Sequence, residues 1–201
     1  MKTVKETLQR ATILVIIMTV LCGLAYPLMI TGISQVFYSN KANGSIIEVD
    51  GKKYGSELLG QQFTGDEYLW GRIMNINTQV FSDKNGDALM YASPSNINTT
   101  SEEFANLVDE RVSKIKSANP DTDTEEVPVD LVTSSGSGLD PQISYAAANY
   151  QIERIAVARG ISTTQVQNII DKYTTNRFVG VFGENVVNVL KVNLALDGII
   201  D

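Results

Sequence analysis

The sequence predicts a single N-terminal transmembrane helix followed by one mixed α/β domain on the outer side of the membrane. Three observations carry that prediction. No charged residue occurs between Arg10 and Lys41. After that gap, capped amphipathic segments alternate with short β-branched runs, the pattern of a mixed α/β domain. The charge is also unevenly divided: Lys2, Lys5 and Arg10 face only Glu6 ahead of the gap, whereas the whole chain carries −7.

The apolar stretch Ala11–Ile33 is dominated by Ile, Leu, Val and Met. As a helix it would span about 34 Å, enough to cross a hydrocarbon core of about 30 Å. It is longer than the apolar part of a secretory signal and no Ala-x-Ala follows it, so an uncleaved anchor is expected. Cys22 follows Leu21, a bulky residue where a lipid-attachment site needs a small one. Pro27 removes a backbone donor and predicts a kink. Gly23, Ala25 and Gly32 would let another helix approach closely. The positive-inside bias puts residues 1–10 in the cytoplasm, 11–33 in the membrane and 34–201 outside. The outer domain has no cysteine, and therefore no disulfide.

Within 34–201, Ser45–Tyr54 predicts a hairpin turning at Asp50-Gly51. Glu67–Arg72 is an aromatic, strand-like run. Residues 75–98 are so rich in Asn, Ser, Asp and Gly that a long surface loop is expected. Thr100-Ser-Glu-Glu103 opens a helix with Phe104, Leu107, Val108, Val112 and Ile115 on one face, stopped by Asn119-Pro120. An acidic linker follows over Asp121–Glu126. Val127–Thr133 then looks like a short buried strand running into the turn-rich Ser134–Pro141. Ser144 caps a second helix reaching Ala158 and stopped by Gly160. Ser162-Thr-Thr-Gln165 caps a third, carrying Val166, Ile169, Ile170 and Tyr173. Val186–Leu196 alternates as a half-buried strand.

The residue types exclude much chemistry. There is no histidine, and the one cysteine lies in the span. Histidine-based triads, thiol catalysis in the domain and the usual zinc sites are therefore out of reach. The acidic balance and scattered aromatics exclude nucleic acid as a partner. Ser134, Ser135 and Ser137 sit in a glycine-containing loop, where backbone N–H groups could gather around a phosphate or a nucleophile. Yet Gly136-Ser-Gly138 is no nucleophile elbow, and no Gly-x-x-x-x-Gly-Lys phosphate loop exists. Asp130 and Asp140 flank the loop at a spacing that no calcium loop uses. Two readings stay open on residues alone: an anchored, non-enzymatic partner domain, or an anchored extracytoplasmic enzyme or ligand sensor using the Ser/Gly-rich loop.

Val127-Pro-Val-Asp-Leu-Val-Thr-Ser-Ser-Gly-Ser-Gly-Leu-Asp-Pro-Gln-Ile-Ser144 resembles the signature of the C subunit of the Kdp potassium-transporting P-type ATPase, the KdpC family. So do Tyr26-Pro-Leu28, Ala42–Ile46, Gly60-Gln-Gln-Phe-Thr-Gly65, Trp70-Gly-Arg72, Gln151–Arg159 and Val186–Asp197, in order along nearly the whole chain. The resemblance implies a bacterial inner-membrane complex with a potassium-channel-like subunit, an ATP-hydrolysing pump subunit and a small membrane peptide. This subunit would be a non-catalytic chaperone that raises the pump's ATP affinity, with no cofactor bound covalently and with ATP and potassium handled by the complex. The family's Ser/Gly-rich loop implies Ser137, Gly138, Asp140 and Gln142 as nucleotide- or partner-influencing candidates, joined by Gly71, Arg72 and Asn193. Gly23, Tyr26 and Pro27 would dock the span. Two segments depart from the family pattern: Arg72 is followed by Ile73-Met-Asn75 instead of Pro-Ser, and Tyr91–Asn96 lacks a Gly-Gly-Ser-Asn segment. The charge rule sets the Ser/Gly-rich loop on the opposite side from ATP, so any influence on ATP would pass through the membrane subunits.

Overall fold

The computed structural model describes residues 2–122 and 126–201. The chain divides into two units, the first ending at Ile46 and the second running Ile47–Asp201.

In the first unit, α1 (Lys2–Val20) continues through a π-helical turn (Leu21–Ala25) into α2 (Tyr26–Phe37). The apolar helix covers Thr3–Phe37, and none of it is buried. The expected 11–33 interval lies inside it. Pro27 explains the π turn, because its ring would press on the Gly23 carbonyl four residues back. The Tyr26 N–H instead donates to the Leu21 carbonyl, five residues back, which widens the turn. A short α3 (Ser39–Ala42) follows, and the Gln35 and Asn43 side-chain amides exchange two hydrogen bonds of 3.2 Å.

In the second unit, β1 (Ile46–Val49) and β2 (Lys52–Ser56) form the expected hairpin. Asp50 and Gly51 both have positive φ, +51° and +76°, as a tight primed turn requires. Glu67–Arg72 forms no strand, contrary to expectation: its backbone is paired by distant side chains instead of a neighbouring strand. The expected long loop over 75–98 is also corrected. It holds β3 (Ile76–Ser82) and β4 (Ala88–Ala92), an antiparallel pair whose register shifts between Asn77 and Phe81. Polar residues misled the reading because Asp83, Asn85 and Asp87 belong only to the hairpin tip, where Asp83 accepts from the Asn85 and Asp87 N–H groups.

The helix α4 (Glu102–Ala118) keeps its expected face, with Ile115 buried, but Ser101 is the residue that caps it, accepting from the Phe104 N–H. Pro120–Thr122 is a 3-10 turn, and the rest of the expected acidic linker lies partly outside the described residues. Val127–Thr133 is not a strand. Pro128 precedes a four-residue helix, α5 (Val129–Val132), with Leu131 and Val132 buried. Proline at a helix entry supplies a suitable φ and loses no needed donor.

Next come β5 (Gln142–Ser144), α6 (Tyr145–Asn149) and α7 (Ile152–Arg159). The single helix expected from Ser144 is thus two, broken at Tyr150-Gln151. Ser144 caps α6 through the Ala147 N–H, and Gly160 ends α7. The helix α8 (Thr163–Lys172) carries the expected capping box of Ser162 and Gln165. After β6 (Thr174–Thr175) and β7 (Val186–Asn188), the expected last strand turns into a helix, α9 (Val189–Leu196), capped by Asn188. Alternation failed there because Val189, Leu190, Val192, Asn193 and Leu194 are all buried, so the helix has no polar face to reveal its period.

The sheet β5-β7-β6 is antiparallel, with Ile143 opposite Val187. Ile143, Ile155, Val166, Ile170, Val187 and Val192 are sealed around it. Each large aliphatic side chain buried there contributes about 1.5–3 kcal/mol.

Candidate functional site

The Ser/Gly-rich loop is anchored by one arginine. Arg72 reaches Asp140 at 3.4 Å and Asp130 at 4.0 Å. Its other terminal nitrogen donates to Thr133 Oγ1 and the Ser134 carbonyl, both at 3.3 Å. The two aspartates also accept backbone N–H groups: Asp130 from Ser144 at 2.7 Å and Asp140 from Gln142 at 3.0 Å. They therefore shape the strand entry at β5 as well as pairing with Arg72.

The loop caps two of its own N–H groups. Ser135 Oγ accepts the Gly138 N–H at 3.1 Å, Ser137 Oγ accepts the Leu139 N–H at 3.2 Å, and the two hydroxyls lie 3.2 Å apart. Gly138 has φ +71°, and a Cβ there would stand 2.6 Å from the Ser93 carbonyl and 2.9 Å from that of Asn75. The Asn75 N–H donates to the Gly138 carbonyl at 3.0 Å, and Asn75 Nδ2 donates to the Ser93 carbonyl at 2.8 Å. The base of the β3–β4 hairpin thus rests on Gly138. Ser137, Gly138, Asp140, Arg72 and the adjoining Gly71 and Gln142 come together at this junction. Gly71 faces Val189 in ordinary contact, 3.5 Å from where its Cβ would be. Gln142 is the first residue of β5, opposite Asn188.

Asn193 belongs elsewhere. Its buried amide accepts the Leu69 N–H at 2.7 Å and donates to the Leu69 carbonyl at 2.9 Å. Those are the two bonds a residue exchanges with its opposite in an antiparallel sheet. Gln151, equally buried, does the same for Trp70 at 2.9 and 3.1 Å. Arg154 adds the Asp66 carbonyl at 2.5 Å, the Tyr68 carbonyl at 3.0 Å and Gln151 Oε1 at 2.6 Å, with its guanidinium 4.2 Å from the Trp70 ring centre. Burial lowers the Arg154 pKa to about 10, and the nearby Asp66 and Glu67 charges limit the fall. Arg159 binds the Glu67 carbonyl at 2.6 Å and Asp197 at 2.7 Å. Sequence reasoning missed Gln151, Arg154 and Arg159 as a group. Their one signal was a polar cap and two arginines on a short helix otherwise rich in small and apolar residues.

Gly23, Tyr26 and Pro27 lie in the apolar helix. Nothing approaches within 4 Å of where a Gly23 Cβ would be, and Tyr26 is exposed. Among the described residues no group of three or more Asp, Glu or Cys could hold a metal ion.

One cavity, of about 100 Å³, opens between α4 and the segments 61–64 and 70–74. Arg72, Arg111, Lys114 and Trp70 line it, together with Gln61, Gln62 and Thr64. Arg111 donates to the Val132 carbonyl at 2.8 Å, and Lys114 stands 5.7 Å from the Trp70 ring centre.

A family model described as KdpC, the c chain of a K+-transporting ATPase, matches residues 8–198. Proteins called potassium-transporting ATPase KdpC subunit are similar along their whole length. The one from Clostridium perfringens is 62% identical over 195 residues, covering 97% of this chain and 98% of the relative. That of Clostridium botulinum strain Alaska E43 is 56% identical over 200 residues, covering 100% of both chains. That of Paraburkholderia phytofirmans is 45% identical over 181 residues, covering 90% and 91%.

Proposed function

The chain belongs to the KdpC family, the non-catalytic C chain of the potassium-transporting ATPase, and on that premise we propose that it holds the complex together from outside the membrane. The N-terminus lies in the cytoplasm, the apolar helix crosses the bilayer of the bacterial inner membrane, and the α/β domain is on the far side. Gly23, Tyr26 and Pro27 meet the membrane-embedded partners: a potassium-channel-like subunit, an ATP-hydrolysing pump subunit and a small membrane peptide. The rise in the pump's ATP affinity is a coupling through those partners, without contact between this domain and the nucleotide.

The closure of the Ser134–Asp140 loop carries this reading. Its hydroxyls cap its own N–H groups, Gly138 is wedged against the hairpin, and Asp140 is held by Arg72 and the Gln142 N–H. A loop whose hydroxyls, glycine and aspartate are committed in this way supports a strut more than a phosphate cradle. The enzymatic alternative would require a free serine hydroxyl with a base.

Replacing both serines, Ser135→Ala and Ser137→Ala, tests the proposal in the intact complex. Potassium-dependent growth and co-purification with the pump and channel-like subunits are expected to persist. Loss of transport with the complex still assembled would overturn the non-catalytic role of this loop. Deleting the whole subunit is expected to abolish growth at low potassium in a strain with no other high-affinity uptake.

A further inference from the structure

The chain is acidic overall, yet the cavity against α4 is walled by three cations and by no carboxylate, the Asp130 and Asp140 partners of Arg72 lying outside its lining. Arg111 and Lys114 are one helical turn apart on α4 and project to the same side. Arg72 enters from the opposite segment. Gln62 and Thr64, from the Gly60–Gly65 motif, add polar groups that nothing in the Ser/Gly-rich loop uses. Arg72 Nε is buried and has no hydrogen-bond partner, although a buried, charged donor costs free energy when left unpaired. Burial also pushes the Arg111 pKa below its ordinary value, with the Glu110 charge opposing the shift. Each group would gain from an anion placed between them.

We propose that this cavity binds a tetrahedral oxyanion of the phosphate class, held by Arg111 and Lys114 from α4 and by Arg72 from the facing segment. Cations on two walls match the several acceptor oxygens of a phosphate better than the two of a carboxylate. The volume fits such a group alone, since sites that enclose larger ligands whole run to about 300 Å³ or more. The phosphate comes either from free inorganic phosphate or from the headgroup of an anionic lipid.

Trp70 lines the cavity and is the only tryptophan in the chain, so its fluorescence reports occupancy. The full-length protein is held in maltoside micelles and titrated with inorganic phosphate against chloride at matched ionic strength. A saturable change in Trp70 emission with phosphate alone is expected. Lys114→Gln and Arg111→Gln should each weaken it by about tenfold, the loss of one charge-assisted hydrogen bond. Lys114 is exposed, so its variant should fold normally, which thermal unfolding checks. Micelles doped with phosphatidylglycerol separate the sources. If the lipid headgroup is the ligand, the emission changes without phosphate and further phosphate adds nothing. If free phosphate is the ligand, phosphatidylglycerol leaves the titration unchanged. The proposal is overturned if neither probe exceeds the chloride control, or if the response survives undiminished in both variants.

Discussion

Two neighbouring stretches, 65–72 and 76–92, are held in opposite ways. The first has no strand partner, yet it is among the most tightly fixed parts of the domain. Asn193 and Gln151 pair with the backbone of Leu69 and Trp70, while Arg154 and Arg159 collect the carbonyls of Asp66, Glu67 and Tyr68. The second is a two-stranded hairpin, shifted in register between Asn77 and Phe81, with its strands bonded only to each other. Val80, Phe81, Leu89, Met90 and Tyr91 all remain exposed on it. Strand pairing is therefore a poor guide to which stretches are tied to the core. Burial of the groups that satisfy the backbone is the better one, because a paired polar group is hard to replace only where water cannot.

The largest effect should come from cutting a bracket. Asn193→Leu leaves the buried N–H and C=O of Leu69 unpaired, an expected loss of about 2–4 kcal/mol in thermal unfolding of the full chain. A loss below about 0.5 kcal/mol would mean that the bracket is not what fixes the segment. Gly138→Ala attacks the place where the base of the hairpin rests on the Ser/Gly-rich loop. The positive φ and the close Ser93 carbonyl predict a loss of about 1–3 kcal/mol, with faster amide exchange across 76–92 and little change at 65–72. On the hairpin itself, Phe81→Ser should cost only about 1 kcal/mol, since the half-exposed ring packs edge-on against Tyr91, 5.4 Å away, and against little else.

The smallest effect is alkaline. Tyr68 and Tyr145 donate hydrogen bonds to Asp197 and Asp171. Their pKa values are raised, for Tyr68 first by the Asp197 charge and for Tyr145 first by the hydrogen bond to Asp171. Between the ordinary and raised values the folded chain holds more protons than the unfolded one, so stability falls as pH rises. The contribution is intact below the ordinary tyrosine value of 10.0 and is lost as pH climbs through the raised one. Melting temperatures measured from pH 9 to 11 should drop, and less so in Tyr68→Phe.

Features with a local physical cause were legible in the sequence. The apolar span, the Asp50-Gly51 turn, the caps at Ser144 and Ser162 and the stop at Gly160 each follow from a few adjacent residues. Segments whose state depends on distant partners were not. Val186–Leu196 alternates like a strand, yet Asn188 caps a helix that is buried nearly all round. Glu67–Arg72 has the composition of a strand, but the partners of its backbone lie at the cap of α7 and on α9, 81 and 124 residues away in sequence. At the candidate site, Arg72, Asp140 and Gly138 were chosen by resemblance. Their shared role at the foot of the hairpin needed the positions of Asn75 and Ser93, in a stretch read as loop. Asn193 was chosen with them and instead serves the bracket around Leu69.

The side of the membrane on which the Ser/Gly-rich loop sits decides whether this subunit can touch ATP. Ser137 and Ser95 are both exposed, and Cys22 is the only native cysteine. Ser137→Cys and Ser95→Cys, each placed singly in a Cys22→Ser background, can be probed in intact cells with a membrane-impermeant thiol reagent. Labelling of both in intact cells is the expected result. Labelling only after lysis would contradict the outward placement and restore direct contact with ATP.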